Sequence, residues 1–358
     1  MFPSRAFWVR LLRPLLLILL AAAFAASAAC NRASNLTKEV AYVNSPQVVL
    51  RDRLAPIFEK TGTVHLGDKV YVLEHKPRFS RVRNQRGEEG WISDRYLIPS
   101  ETYEQFEKLV TENKNTPVQA NATARTTLNL HLTPGRDTDH LFQLKEGDKL
   151  AVLKRETAEK PKSMQPPPKI VKKTGAGDKE EAQPPALEDW LLVRGSQNQR
   201  VGWVLARMVD VDIPLEIAQY AEGQRIVSSF VLSEVQDADK KVPQYLVMMT
   251  DNKDGLPWDF SQIRIFTWNL KRHRYETAYR ERNLVGVFPV STGTADFGKE
   301  GVEPTFTIRV KNDAGQVSER KYRMIGPIVR RIMTPEEQQK EAAERAARRA
   351  AAPGKRRK

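Results

Sequence analysis

Cysteine is the scarcest residue of this 358-residue chain, because Cys30 is the only one. The chain therefore cannot form an intrachain disulfide, and a hydrolase built on a cysteine–histidine pair is not available to it. Long hydrophobic runs are also lacking after the first 29 residues, so no later segment has the length of a membrane-spanning helix. The fold must therefore be stabilised by its hydrophobic cores.

Catalytic sequence motifs are lacking as well. The five histidines do not pair at metal-ligand spacing, and neither HExxH nor GxSxG occurs. We therefore expect a non-catalytic protein with no catalytic residue, no metal site and no cofactor. Residues distant in sequence can converge in a fold, so a cell-wall-active enzyme with an unrecognised active site in residues 215–333 remains the alternative.

The N-terminus is built like an export signal. Residues 1–13 carry three arginines and no acid, an apolar run follows at 14–20, and the small residues 27–29 precede Cys30. A charged region, a short apolar region and a small-residue cleavage site are typical of a signal peptide, which we place at residues 1–29.

The cleavage site resembles the lipobox of bacterial lipoproteins, in which the cysteine becomes the lipidated first residue. The resemblance implies lipidation at Cys30, a tether over residues 30–41 and a membrane-anchored lipoprotein on the periplasmic side. Asn31 lacks the aspartate retention signal known in some bacteria, which favours the outer membrane. Ser27 stands where the family usually has leucine, so ordinary secretion and an uncleaved anchor remain open.

Positive charge is concentrated at the C-terminus. The formal net charge is +14, and residues 340–358 hold eight lysines and arginines against two glutamates, a net +6. Thr334 and Pro335 are typical of a helix start, so residues 334–358 are predicted to be a basic helical tail. This tail could contact an anionic envelope surface, whereas export argues against a nucleic-acid partner.

The middle of the chain contains one pattern twice, at residues 42–98 and 124–214. In each copy a Gly-Asp-Lys sequence, beginning at Gly67 or Gly147, lies sixteen residues after the end of an early strand, and Gly-Trp follows near the end. The spacing from Gly147 to Gly202 exceeds that from Gly67 to Gly90 by 32 residues, which is the length of the segment 156–187. An internal repeat of short period-two strands predicts two copies of one small β module.

The segment 156–187 and the residues between the copies differ from this β pattern. The segment is rich in proline, lysine and glutamate, so it is predicted to be a disordered insertion at a hairpin tip. Residues 99–123 are predicted to be a linker, and apolar residues at helical spacing within 101–113 indicate a helix that lies on one module.

The two copies resemble the bacterial SH3 (SH3b) family. The resemblance rests on 67–73 and 90–97 in the first copy, and on 147–153, 190–194 and 202–204 in the second. It implies two SH3-like barrels that bind or target, often to cell-wall peptides or proteins, rather than catalyse.

The same resemblance implies candidate ligand-binding residues. In the first copy these are Phe79, Trp91 and Tyr96, and in the second Trp190 and Trp203. Met208 stands where the first copy has Tyr96, so the second groove is incomplete. The alternative is that these aromatic side chains only pack the cores of two very small barrels.

Residues 215–333 show seven strand-like runs separated by turn signals. They predict an antiparallel β domain, either a sandwich or an open barrel, and the chain as a whole is expected to be mainly β. The resulting functional hypothesis is a lipoprotein that binds or scaffolds cell-wall or envelope proteins. A second alternative is an assembly partner in an envelope complex without affinity for the wall.

Overall fold

The computed structural model describes residues 39–164, 185–197, 199–335, 338–339 and 342–343. These residues form four antiparallel sheets, so the prediction of a mainly β protein is confirmed. The signal peptide, Cys30 and residues 165–184 of the insertion lie outside the described residues. The chain divides into two compact units, residues 1–103 and 104–358.

The first unit contains a seven-stranded sheet, which we call the first module. Its strands are β1 (Val40–Val43), β2 (Gln47–Arg51), β3 (Lys60–His65), β4 (Lys69–Lys76), β5 (Phe79–Asn84), β6 (Glu89–Ser93) and β7 (Leu97–Pro99). They pair in the order β3-β2-β6-β5-β4-β1-β7. One face carries a core that includes Leu50, Val70, Val82 and Ile92, as the period-two alternation of these strands requires.

The second unit begins with a matching sheet, which we call the second module. Its strands are β8 (Ala120–Ala124), β9 (Leu128–His131), β10 (His140–Leu144), β11 (Lys149–Glu159), β12 (Leu187–Gly195), β13 (Val201–Leu205) and β14 (Val209–Val211). The pairing order, β10-β9-β13-β12-β11-β8-β14, is that of the first module strand for strand. The sequence repeat is thus also a repeat of topology.

The glycine before the late tryptophan has the same packing role in both modules. A Cβ atom at Gly90 would lie 2.7 Å from Cβ of Leu50, and one at Gly202 would lie 2.6 Å from Cβ of Leu130. Real Cβ atoms do not approach each other so closely, so only glycine lets β6 cross β2, and β13 cross β9, at this distance. This explains why both copies read Gly-Trp.

The β11–β12 hairpin of the second module extends further than the sequence predicts. Register pairs continue from Glu156 opposite Trp190 to Glu159 opposite Leu187, so both ends of the segment 156–187 belong to strands. The side chains here are largely polar and exposed, and composition therefore indicated a loop. Backbone hydrogen bonds across a hairpin do not depend on apolar side chains.

One helix connects the modules. Helix α1 covers Ser100–Glu112, close to the predicted 101–113. Phe106 is fully buried, with its ring edge-on to Phe142 at 6.0 Å between centroids. Leu109 and Val110 pack against the second module, so the helix lies on that module.

The rest of the second unit is a pair of four-stranded sheets. They consist of β15 (Arg225–Asp237), β16 (Lys240–Thr250), β17 (Gln262–Asn269) and β18 (Arg274–Glu281), and of β19 (Gly286–Asp296), β20 (Val302–Lys311), β21 (Val317–Ile325) and β22 (Ile328–Ile332). Both sheets contribute to one core, which includes Ile263 and Ile265 from one and Phe306 and Tyr322 from the other. We call this pair the sandwich. The short helix α2 (Leu215–Ala218) contributes Ile217 to a core on the outer face of the β15–β18 sheet.

The sandwich has one strand more than the seven predicted. Strand β22 has a poor alternation of apolar and polar residues, because it lies at the edge of its sheet and buries little. The chain then turns helical at Pro335, and the Gln338 N–H donates to the Thr334 carbonyl oxygen at 3.0 Å. Most of the predicted basic tail lies outside the described residues.

Candidate functional site

The first module brings Phe79 and Trp91 to one face. Trp91 lies opposite Arg81 on β5 and opposite Arg51 on β2, while Phe79 lies opposite Ser93. Residues opposite or two apart in an antiparallel pair share a face, so Phe79, Trp91 and the two arginines lie together. Since Ile92 points into the core, this face is the outer one. We call it the aromatic face.

Cationic side chains lie over two aromatic rings of the first module. The Lys76 ammonium lies 4.7 Å from the ring centre of Trp91, and the Arg51 guanidinium lies 4.3 Å from that of Phe58. These cation–π contacts help to leave Trp91 only 7% exposed, whereas Phe79 is half-buried. The face therefore combines aromatic rings with positively charged side chains.

Tyr96 is not part of the aromatic face. It ends a 3₁₀ turn, Asp94–Tyr96, and its ring packs against the core cluster of the first module. The Arg95 guanidinium lies 4.5 Å from its ring centre. The structure thus brings together two of the three predicted residues of the first module, and it gives Tyr96 the packing role that was the alternative.

A hydrogen-bonded chain includes Ser80, which lies opposite Ile92 and therefore on the other face of β5 from Phe79. His75 Nε2 lies 2.8 Å from Glu39 Oε2, His75 Nδ1 lies 3.0 Å from Ser80 Oγ, and Ser80 donates to Asp94 Oδ1 at 2.7 Å. With the serine proton donated to Asp94, the imidazolium form of His75 would donate through both ring nitrogens, to Glu39 and to Ser80. The hydrogen bond to Glu39 raises the pKa of His75, and burial opposes this in part.

This chain has the composition of a Ser–His–acid triad without its chemistry. Ser80 is only 1% exposed, and its hydroxyl proton is donated to Asp94. A nucleophile must be reachable by substrate and hydrogen-bonded to an unprotonated base. The arrangement ties Glu39, at the start of the described chain, to β4.

The second module covers its equivalent face with its own chain. Trp190 and Trp203 occupy the positions of Phe79 and Trp91. Trp190, at 2% exposed, is more deeply buried than the half-buried Phe79, whereas Trp203, at 6%, is buried to the same extent as Trp91. They belong to a cluster against which Leu109 and Val110 of α1 pack. His131 stacks edge-on against Trp190, and burial, followed by the nearby His140, lowers the pKa of His131. Both predicted tryptophans of this module are thus buried members of one core cluster.

The sequence analysis missed a buried ionic cluster between the second module and the sandwich. Arg155 Nη2 donates to Asp189 Oδ1 at 2.6 Å, and its Nη1 lies 3.3 Å from Asp259 Oδ1. Arg225 donates to Asp189 Oδ2 at 2.9 Å. The only sequence signal was a pair of acids, Glu188 and Asp189, directly before the apolar run of β12.

The arginines and backbone N–H groups of the ionic cluster oppose the effect of burial on both carboxylates. Burial alone would raise the pKa of Asp189, but the hydrogen bonds and charge of Arg155, the Gly255 N–H and Arg225 lower it. Burial raises the pKa of Asp259, although the Phe288 N–H and Arg155 oppose the shift. Arg155 is 7% exposed, so the cluster is a structural connection rather than an accessible site.

The described residues contain neither a metal-binding cluster nor a membrane-spanning helix. No group of three or more histidine, cysteine, aspartate or glutamate side chains is placed to hold a metal ion in this part of the chain. No helix among the same residues is long and apolar enough to cross a membrane.

No family model matches the chain, and no curated protein matches it either. Solved structures similar to it include NlpC2 and NlpC1 from Trichomonas vaginalis, with 10% and 9% identity over 69% and 67% of this chain and 98% and 87% of theirs. An NlpC/P60 family protein from Bacillus cereus is 9% identical over 78% of this chain and 93% of its own. The TM-scores are 0.16, 0.16 and 0.20, too low to establish a shared fold.

Proposed function

We propose that this protein is an exported, lipid-anchored envelope protein that binds wall peptides through the aromatic face of its first module, without catalysis. The supporting observation is the contrast between the two modules. Trp91 lies beneath the exposed Lys76 side chain, while Trp190 and Trp203 belong to a cluster against which helix α1 packs. This difference favours ligand binding at the first module.

The charges on the aromatic face favour a ligand that carries carboxylates. Arg51 and Arg78 form no salt bridge with any carboxylate in the described part of the chain, and Lys76 has only a long, exposed contact with Glu74 at 3.7 Å. Arg78 stands at the tip of the β4–β5 hairpin and is exposed. A peptide with acidic groups and aliphatic side chains would pair with these cations and cover the rings.

The hairpin tip offers a direct test of this binding. The Lys76→Ala/Arg78→Ala double variant is expected to bind purified insoluble peptidoglycan roughly tenfold more weakly than the unaltered chain, because two charge-assisted contacts are lost. The matched control is Lys271→Ala/Arg272→Ala, which removes equal charge from an exposed hairpin tip of the sandwich. Cosedimentation of the full exported chain measures both.

The outcomes separate the proposal from its alternatives. Equal binding by both variants would place the wall contact elsewhere and refute the role of the aromatic face. Release of soluble fragments from the peptidoglycan would support an enzyme. Absence of wall binding, together with a protein that co-purifies from membranes, would support an assembly partner.

The anchor has its own test, because it depends on Cys30 alone. The intact mass of the membrane-extracted protein is expected to correspond to a chain that begins at Cys30 and carries acyl groups. A Cys30→Ser variant should lose this added mass and leave the membrane fraction. If the variant stays membrane-bound with an unchanged mass, the chain is not a lipoprotein.

A further inference from the structure

A cleft of about 630 Å³ lies at one end of the β15–β18 sheet, far along the strands from the Asn269–Arg274 hairpin. Here β16 and β18 end while β15 and β17 begin, so four chain segments contribute to the lining. The lining includes Trp258, Asp251, Gln262 and Arg282. The aromatic face of the first module has no part in this cleft.

Trp258 forms a fixed wall of the cleft. Its ring is half-buried, and its Nε1–H donates to Thr250 Oγ1 at 3.3 Å. A half-exposed indole held at its polar edge presents its carbon surface to a ligand without losing side-chain freedom on binding.

The polar groups of the cleft are of both charges and are pre-positioned. Gln262 is 3% exposed, and its Oε1 accepts from Arg282 Nε at 2.9 Å, which aims the rest of the guanidinium outward. Asp251 is exposed and makes no salt bridge with any described residue. Glu222 is already neutralised by Arg264 at 2.8 Å and Arg280 at 3.2 Å. The Asp251 carboxylate and the Arg282 guanidinium can thus accept from and donate to a ligand in the same cleft.

We propose that this cleft binds a saccharide. Sugar hydroxyls both donate and accept, so one ring can satisfy the Asp251 carboxylate and the Arg282 guanidinium together. The C–H face of a pyranose ring matches the indole of Trp258. A purely anionic ligand would meet Asp251, and a purely cationic one Arg282, so the mixed lining selects for a neutral, hydroxylated ligand.

Other aromatic and basic residues of the sandwich lie away from the cleft. Trp268, Arg272 and His273 lie at the opposite end of β17 and β18, where Trp268 and His273 both bond to Asp237. They are therefore not part of the saccharide site. The proposed site also does not depend on the proposed peptide binding, because it uses no residue of the first unit.

Isothermal titration of the full exported chain with chitotetraose, a β-1,4-linked tetramer of N-acetylglucosamine, tests the proposal. Saturable binding is expected. Trp258→Ala should abolish it, and Asp251→Asn should weaken it roughly fivefold, since a charged acceptor becomes a neutral one. Asp313→Asn, at an exposed turn of the other sheet, is the matched control and should bind as the unaltered chain does.

Asp251→Asn keeps the test valid if Trp258→Ala unfolds the sandwich, because the exposed carboxylate has no structural partner. The Lys76→Ala/Arg78→Ala variant should bind the tetrasaccharide normally, so failure of either site is seen separately from the other. A chain that gives no saturable heat refutes the proposal. So does a pair of folded cleft variants that bind with unchanged affinity.

Discussion

Replacing Arg155 by methionine is expected to lower the free energy of unfolding of residues 104–358 by about 3 to 5 kcal/mol. The guanidinium bonds to Asp189, lies by Asp259, and also donates to the Leu256 and Trp258 carbonyl oxygens at 3.0 and 2.9 Å. Methionine fills similar volume but supplies no donor. Asp189 and Asp259 would remain 2% and 12% exposed with less compensation.

Denaturant unfolding followed by tryptophan fluorescence measures the change. Arg272→Met is the control, since Arg272 is 63% exposed and pairs with Glu276 four residues later in the same hairpin. An exposed pair of this kind contributes about 0 to 1 kcal/mol. If the two variants have equal stability, the ionic cluster does not hold the second module to the sandwich.

Replacing Phe106 by alanine is expected to lower the free energy of unfolding by a similar amount, about 3 to 5 kcal/mol. Phe106 is fully buried and contacts Phe142. Alanine is a better helix former than phenylalanine, so helix propensity does not contribute to the loss. The remaining contacts of α1 include Glu107 to Arg200 at 2.6 Å, which cannot replace the buried ring.

The same substitution should also expose the tryptophans under the helix. We expect acrylamide to quench Trp190 and Trp203 more strongly in Phe106→Ala, because Leu109 and Val110 lose their fixed position. Lys108→Ala, on the exposed side of α1, should change neither stability nor quenching. Unchanged quenching in a destabilised Phe106→Ala variant would mean that α1 does not shield this face.

Much of the fold could be predicted because it is encoded locally. Strand β17, at 262–269, belongs to the strand-like pattern predicted for residues 215–333, since its apolar residues and flanking turns define it without reference to other segments. The Gly-Asp-Lys sequences that begin at Gly67 and Gly147 predict both modules. The φ angles of these glycines, +84° and +83°, explain why glycine stands at each turn. The hairpin beyond Glu156 was missed because its pairing is made by the backbone.

The candidate sites depended more on distant contacts. Residues 79 and 91 could be chosen from a repeated pattern, but whether a tryptophan is covered depends on what the rest of the chain places over it. The partners of Arg155 lie 34 and 104 residues away, and no local pattern pairs them. The cleft beside Trp258 likewise exists only because four strand ends meet.

The sequence by itself determined the kind of protein: a single cysteine after an export-like segment, two matched β modules and a third β region. These follow from composition and short-range periodicity, which act within a few residues. The tertiary structure alone decided that Lys76 lies over Trp91 in the first module and that a helix packs against the equivalent cluster of the second. It also decided that Arg155 joins the second module to the sandwich, because burial and charge pairing depend on segments that meet only when the chain has folded.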